Sequence, residues 1–252
     1  MVVAGISVLL ASTVLAACGD GDGKSDESPG AGLPQGSEPV DLDPADFGVD
    51  IDNPYWPMQP GTRWVYRESD GEGGVQRVVV TVTGKTKRIA NGVEARVLRD
   101  VVSRNGEPVE VTDDWYAQDS EGNVWYLGER TAEYEGGKVV SRAGSWEAGV
   151  DGAQPGIVIP ADPQPGLAYR QEYYAGEAED KAKVLSVDEQ AEVPFGHFAD
   201  MVLTKDVVPL EPRVLEYKLY ARGVGPVLVL DVSGAAGREE LVSFTDPDRR
   251  GA

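Results

Sequence analysis

The sequence is poor in the residues that most enzymes use for chemistry. It has one cysteine and one histidine in 252 residues. With a single histidine, His197, and no Gly-x-Ser-x-Gly motif, the parts of a serine or cysteine triad are missing, and a zinc site would need carboxylates for nearly all its ligands. The formal net charge of −20 would repel nucleic acid and anionic lipid. We therefore expect no enzyme activity, no cofactor, no metal site and no nucleic-acid partner.

The single cysteine follows the one long apolar run of the chain. Residues 2–17 carry no charge, and this run is shorter than the roughly 20 residues of a transmembrane helix but typical of a signal peptide. Leu15-Ala16-Ala17-Cys18 resembles the bacterial lipobox, in which the thiol receives a diacylglyceryl group before cleavage. We predict a lipoprotein signal peptide over residues 1–17 and lipid attachment at Cys18, on the extracytoplasmic face of the cell membrane. The alternative is a chance cysteine after an ordinary signal peptide.

No Lys or Arg precedes the apolar run, so we expect basic codons in frame upstream of the first methionine. Lipid on Cys18 would leave no thiol in the mature chain, which excludes a disulfide and makes burial the source of stability.

Residues 18–52 form an acidic segment that carries ten carboxylates and one lysine. Large apolar residues are rare in it, so we expect a flexible tether between the membrane and a folded part. The spaced aspartates of this segment invite a calcium interpretation, but they lack the Asp-x-Asp-x-Asp-Gly loop and its closing Glu; they are Asp41, Asp43, Asp46, Asp50 and Asp52. A solvated linker is the interpretation that we adopt.

After Asn53 the sequence is typical of an all-β protein. Short Val-, Tyr- and Trp-rich runs alternate with turn residues, and no stretch has a sustained helical period. The stretches Asn91-Gly92, Asn105-Gly106, Glu121-Gly122-Asn123 and Gly136-Gly137 predict tight hairpins, because they supply the positive φ angles that such turns need. The Gly- and Pro-rich residues 149–165 interrupt the pattern, and we interpret them as a junction between two halves.

The two halves are similar when the chain is shifted by 104 residues. Six residues of the first half then coincide with identical residues of the second, among them Tyr116 with Tyr220 and Ala117 with Ala221. We therefore predict a duplication, with a first β repeat over 53–148, a second over 166–247 and a short tail over 248–252.

Alternation within the strands predicts which faces are buried. In residues 109–118 the apolar Trp115 shares a face with Val109, Val111 and Ala117, whereas Tyr116 lies on the opposite, more polar face; Leu219 and Tyr220 repeat this contrast. We expect two similar antiparallel units that form packed sheets or an open, half-barrel-like meander, with the polar faces solvated and little helix.

Two stretches resemble sequences of an uncharacterised family of secreted and lipid-anchored bacterial proteins of actinomycete type. They are PYWPMQPGTRWVY at 54–66 and YARGVG at 220–225. The resemblance covers residues 53–245 and implies a lipoprotein, but no activity, because none is known to us for that family.

The tryptophans are the remaining candidates for a site, and all five lie in the first half. Core packing is one interpretation, and a groove for a ligand is the other; the candidate groove residues are Trp64, Trp115, Trp125 and Trp146. The favoured function is a binding or carrier module for an envelope lipid or glycan. An envelope scaffold that docks another protein is the alternative, and a hydrolase is a remote one. A deep apolar cavity would favour the carrier, and an exposed aromatic patch the scaffold.

Overall fold

The protein folds as a nearly closed, antiparallel, barrel-like β-sheet. The structure, a computed structural model, describes residues 32–70, 73–232 and 237–247. In these residues almost all regular structure is strand, and the exception is a 3-10 turn over Pro44–Asp46. The all-β expectation is confirmed. The signal peptide and Cys18 lie outside the described residues.

Sixteen strands are formed in the described residues. In chain order they are β1 Phe47–Gly48, β2 Arg63–Ser69, β3 Val75–Arg88, β4 Glu94–Arg104, β5 Glu107–Asp119, β6 Val124–Glu135, β7 Lys138–Ser141, β8 Trp146–Glu147, β9 Gln154–Ile159, β10 Ala168–Arg170, β11 Glu172–Tyr173, β12 Lys181–Val193, β13 Gly196–Val207, β14 Leu215–Ala221, β15 Gly225–Asp231 and β16 Arg238–Thr245.

The strand order consists of two meanders joined side by side. Strands β2 to β6 pair in sequence order, and so do β12 to β16. Antiparallel pairing of β16 with β2 joins the two meanders, for example through Leu241 opposite Tyr66. Short strands β1, β7 and β8 pair with β5 or β6 off this path.

The hairpins occur where the turn residues predict them. Asn91-Gly92, Asn105-Gly106, Gly122-Asn123 and Gly136-Gly137 each lie at the turn between two consecutive strands. At Asn105-Gly106 both residues have positive φ, 53° and 86°, which gives the backbone twist that matches a two-residue hairpin.

One short segment closes the barrel between its two ends. In β10, residues 168–170 pair with β12 at one end of the sheet. In β11, Glu172 and Tyr173 pair with β9 at the other end. Gln171 alone separates the two strands, so the chain changes partner within one residue. We call residues 168–173 the seam.

The buried guanidinium of Arg170 holds the seam in place. Its Nε and Nη2 donate to the carbonyl oxygen of Pro155 in β9, at 3.2 and 2.8 Å. Its Nη1 donates to the carbonyl oxygens of Gly36 and, at 2.9 Å, Glu38. No part of Arg170 is exposed, so these carbonyls replace the water that the charge has lost. Gly156 allows β9 to lie this close to the seam, because a Cβ at this position would overlap the backbone of Arg170 and Gln171.

The expectation of a flexible tether over residues 18–52 is wrong for residues 32–52. The backbone N–H of Arg170 donates to Pro34 O at 2.7 Å, and Phe47 packs edge-on against Trp125 with centroids 5.9 Å apart. Ile51 is buried in the core. The low apolar content of this segment was a poor guide to its structure. A few well-spaced apolar residues are enough to hold a segment against a barrel wall, because the wall supplies the rest of the contact.

The predicted junction also needs correction. Residues 149–165 are rich in Gly and Pro, yet residues 154–159 form β9, which pairs with β6 through Trp125 and Ile157. Pro155 and Pro160 fit because they lie near the ends of this short strand.

The polar faces of the strands turn inward instead of toward solvent. Trp115 and Leu219 are buried as expected, but Tyr116 and Tyr220 are buried too. The ring of Trp56 contacts Tyr116 on β5 and Tyr220 on β14, at centroid distances of 5.6 and 6.1 Å. Five strands separate β5 from β14 in the sheet, so both tyrosines must point into the barrel.

The two meanders have matching strand positions. A shift of 104 residues places β3 on β12, β4 on β13 and β5 on β14 to within a few residues. The register differs, since Tyr116 lies opposite Arg96 whereas Tyr220 lies opposite Val202, two positions beyond the shifted equivalent. The duplication itself stays a prediction.

Replacing Arg170 with methionine should destabilise the whole barrel. Arg170→Met keeps an unbranched side chain but removes the guanidinium group, which leaves the buried carbonyls of Pro155, Gly36 and Glu38 without these donors. We expect a loss of about 3 kcal/mol or more in the free energy of unfolding, which lowers the melting temperature by roughly 6–12 °C. Arg77→Met, at an exposed position of β3, is the matched control. Equal melting temperatures for the two variants would contradict the role of the seam.

Candidate functional site

The two stretches that carry the family resemblance meet at one end of the barrel. Gly223 N donates to Pro54 O at 2.7 Å, and the Trp64 indole N–H donates to Val224 O at 2.7 Å. Gly225 lies so close to Trp56 that a Cβ there would come within 2.8 Å of the ring. With Trp56 between Tyr116 and Tyr220, this end is closed by side chains. We call it the closed end.

Beyond the closed end the interior wall carries carboxyl groups that water still reaches. Asp100, Asp114 and Glu239 lie on β4, β5 and β16 and are half-buried. Burial nevertheless raises their pKa, to about 6 for Asp114 and about 7 for Glu239, and well above the usual range for Asp100. Partial exposure combined with strong desolvation is what a narrow, wetted interior produces.

Asp114, Tyr126 and Glu129 share protons inside this wall. The Tyr126 hydroxyl lies 2.9 Å from Asp114 Oδ1 and 2.9 Å from Glu129 Oε2. A phenol has a single proton to donate, so the second carboxyl must be protonated and donate to the phenol oxygen. Burial, followed by repulsion from Asp114, raises the pKa of Glu129 to about 8. Glu129 is therefore the protonated partner at neutral pH, and Tyr126 donates to Asp114.

Three carboxyl groups have a buried oxygen without a hydrogen-bond partner. They are Glu68 through Oε2, Asp100 through Oδ1 and Glu172 through Oε2, and Trp146 Nε1 and Tyr169 Oη also lack a partner. Burial raises the pKa of Glu172 well above its usual range, and repulsion from Asp180 and Glu129 adds to this effect. The indole of Trp146 lowers that pKa. Unpaired buried acceptors of this kind are rare in structural cores.

The opposite wall contains a positive charge that its neighbours already neutralise. Lys218 Nζ lies 2.9 Å from Asp206 Oδ2 and 3.5 Å from Glu216 Oε2. Burial opposes the charge, but the two carboxylates outweigh it and raise the pKa of Lys218 well above its usual value. Thr204 and Gln171 donate further hydrogen bonds to Asp206, so Lys218 is held on its own wall and leaves Asp100 and Glu172 unpaired.

The predicted groove tryptophans do not form one groove. Trp64 is part of the closed end, and Trp125 is covered by Phe47 on the outer face. Trp146 packs edge-on against Tyr126 at 5.4 Å, beside the interior carboxyl groups. Trp115 lines an open groove on the outer wall. Among the large apolar side chains that are exposed in the described residues, Phe195 is the one aromatic, and it packs against the half-buried Phe198 and Phe244 with ring centroids 6.3 Å away in each case.

Sequence reasoning missed the interior carboxyl groups and Trp56. The signal for them was present in the strand alternation, because Asp114 and Tyr116 share one face of β5, and Lys218 and Tyr220 share one face of β14. The sequence alone favours a solvated face here, but closure of the barrel places this face in the interior.

Two further features bear on the class of site. Within residues 32–70, 73–232 and 237–247, no three His, Cys, Asp or Glu side chains are grouped so that they could hold a metal ion. No helix in these ranges is long and apolar enough to cross a membrane.

Comparison with known proteins gives similarity of shape alone. No protein-family model matches the chain, and no curated protein sequence matches it. A crystal structure of a candidate lipoprotein from Parabacteroides distasonis has a TM-score of 0.41 at 13% identity, over 76% of this chain and 98% of that one. The beta-barrel-like protein of domain of unknown function DUF1849 from Brucella abortus has a TM-score of 0.33 at 13% identity, over 74% and 98%. At this identity no residue role passes between the chains.

Replacing Glu129 with glutamine should change how stability depends on pH. The folded-state pKa of about 8 lies above the usual 4.5, so the protonated carboxyl stabilises the fold fully below about pH 4.5, and this contribution is lost as the pH rises through about 8. Glu129→Gln supplies a permanent neutral donor to Tyr126. We expect little change near pH 5 and a higher melting temperature than wild type near pH 9, where each pKa unit corresponds to about 1.4 kcal/mol.

Glu121→Gln, at an exposed turn position, is the control and should show no such pH dependence. A Glu129→Gln variant that differs from wild type by the same amount at both pH values would contradict the shared-proton arrangement.

Proposed function

We propose that this protein is a lipid-anchored, extracytoplasmic binding module that receives part of an envelope lipid or glycan in its barrel interior, without catalysis. Support for the anchor comes from Leu15-Ala16-Ala17-Cys18 after an uncharged run. Support for the binding role comes from the interior, which is closed at one end by Trp56 and lined beyond it by half-buried polar groups. Rigid walls with a few polar groups are typical of ligand sites.

The unpaired oxygens of Asp100 and Glu172 carry this proposal. A buried acceptor without a partner costs free energy, and a ligand that donates to it recovers that cost on binding. The pKa of both carboxyl groups is raised by burial and by neighbouring carboxyl groups, so a positive charge brought close to them would stabilise their ionised forms. A ligand group that both donates hydrogen bonds and carries positive charge satisfies both requirements.

The ligand group that fits is a primary ammonium, as found on amine-bearing headgroups and on amino sugars. An ammonium offers several donors around a compact charge, which suits carboxyl groups arriving from different strands. An acyl chain fits poorly, because it offers no donor to Asp100 or Glu172.

Amine-bearing probes should bind more tightly than neutral analogues of the same shape. We expect glucosamine to bind and N-acetylglucosamine to bind at least tenfold more weakly by isothermal titration calorimetry. Glucosamine affinity should increase from about pH 5 to about pH 7.5, because Asp114 and Glu239, with pKa values of about 6 and 7, become ionised over this range.

Asp100→Asn should weaken glucosamine binding by about tenfold, which corresponds to about 1.4 kcal/mol. The control is Asp162→Asn at an exposed loop position, which should leave the affinity unchanged. Equal binding of the two sugars, or no effect of Asp100→Asn, would contradict the ammonium assignment. Native mass spectrometry of the mature protein from its own host would then identify what the interior holds instead.

The anchor can be tested separately from the binding role. Cys18→Ser should release the protein from the membrane fraction or leave an unprocessed precursor, because no other residue of the signal region carries a thiol. Ser25→Ala, seven residues further on, is the control and should stay in the membrane fraction. A mature-sized Cys18→Ser protein that remains with the membrane would show that something other than acyl chains holds it.

A further inference from the structure

The outer wall of the barrel carries a groove whose charge is opposite to that of the chain. The groove has a volume of about 410 Å³ and is lined by β3, β4, β5 and β6 together with Glu147 of β8. Four cationic side chains and two carboxylates face it, so its net charge is +2; they are Lys85, Lys87, Arg99, Arg130, Asp113 and Glu147. The chain as a whole has a formal net charge of −20. This local reversal of charge favours an anionic ligand in the groove.

Two guanidinium groups in the groove are held by one buried carboxylate. Arg99 Nε and Nη2 donate to the two oxygens of Asp113 at 2.8 and 2.9 Å, and Arg130 Nη2 donates to Asp113 Oδ2 at 2.7 Å. Asp113 is 8% exposed, whereas the side chains of Arg99 and Arg130 are 44% and 64% exposed. Each guanidinium therefore keeps N–H donors free for a ligand while its position is fixed, which lowers the entropic cost of binding.

The floor of the groove excludes stacking of a neutral sugar. Lys87 Nζ lies 4.5 Å from the ring centroid of Trp115 on one face and 2.9 Å from Glu147 Oε2. On the other side the ring approaches Gly128 so closely that a Cβ there would lie 3.1 Å from Cε3. The indole is thus covered and 7% exposed. The groove presents positive charge and N–H donors to a ligand, with no open aromatic face.

We propose that this outer groove is a phosphate-binding site, distinct from the interior site. A phosphate monoester carries a charge of about −1.5 to −2 at neutral pH, which matches the groove. Its oxygens accept hydrogen bonds from several directions, as two guanidiniums and two ammoniums offer them. The phosphate can belong to a soluble phosphorylated molecule or to a lipid headgroup, since the terminal oxygens of a monoester and of a diester both accept hydrogen bonds from these donors.

Binding is tested on the whole chain carrying Cys18→Ser, so that no acyl chain contributes. Glycerol 3-phosphate and inorganic phosphate are titrated by isothermal titration calorimetry, with acetate as the carboxylate comparison. Phosphatidylcholine vesicles with and without phosphatidylglycerol form the second arm, read by co-sedimentation. Binding of the soluble phosphates alone indicates a soluble ligand, and binding of the phosphatidylglycerol vesicles alone indicates a headgroup. Either result, or both together, supports the site.

Arg99→Gln and Arg130→Gln should each weaken the binding of whichever phosphate probe the wild type binds by at least tenfold. Arg77→Gln, which removes an exposed charge from β3 outside the groove, is the control and should keep the wild-type affinity. Arg130 belongs to an exposed ion pair, so its loss should leave the melting temperature almost unchanged. Arg130→Lys should recover part of the affinity.

Three results would overturn the proposal. They are no binding of any phosphate probe to the wild-type chain, equal affinity for acetate and glycerol 3-phosphate, and binding that both arginine variants retain. The interior variant Asp100→Asn should leave phosphate affinity unchanged, so failure of the interior site and failure of the outer groove can be told apart.

Discussion

The barrel depends on one buried charge at the point where its two ends meet. Arg170 donates from its side chain to carbonyls of β9 and of residues 36–38, while its backbone N–H donates to Pro34 O. A sheet that curls on itself must either close or leave unpaired edges, which are sites of aggregation. Here the closing strands are very short, three residues in β10 and two in β11. The hydrogen bonds of this one guanidinium group add to the few backbone hydrogen bonds that such short strands can form.

Closure also determines the chemistry of the interior. Because the sheet curls so that Tyr116 and Tyr220 face each other across Trp56, the acidic residues on the same strand faces, such as Asp114, are carried inside. Desolvation then raises the pKa of Asp100, Asp114 and Glu129, so Glu129 keeps its proton at neutral pH while Tyr126 donates to Asp114. The outer wall keeps ordinary ion pairs, such as Arg99 with Asp113. The inner surface of the sheet therefore carries desolvated carboxyl groups with raised pKa values, whereas the outer surface carries ionised pairs.

The sequence predicts strands and turns well and closure poorly. Asn105-Gly106 can form a two-residue hairpin whatever surrounds it, so this turn was predictable from local geometry. The alternation of Trp115 with Tyr116 shows that two faces exist, but it does not show which face curls inward, because that depends on contacts between β16 and β2 far apart in the chain. Arg170 was not predictable either, since an arginine in a short strand is usually exposed and its side-chain acceptors here come from two separate segments, β9 and residues 36–38.

The pairing of β16 with β2 sets the order in which the molecule can fold. Arg63 lies opposite Thr245, so this ladder joins positions separated by most of the chain, and loop closure of this length is slow compared with the local hairpins. Each meander can form its hairpins early, yet the interior stays open until the last strand arrives. During that interval the edges of β2 and β16 are unpaired and the inward carboxyl groups are still hydrated. We therefore expect the pairing of β16 with β2 to be the slow step of folding, with desolvation of the acidic wall as part of it.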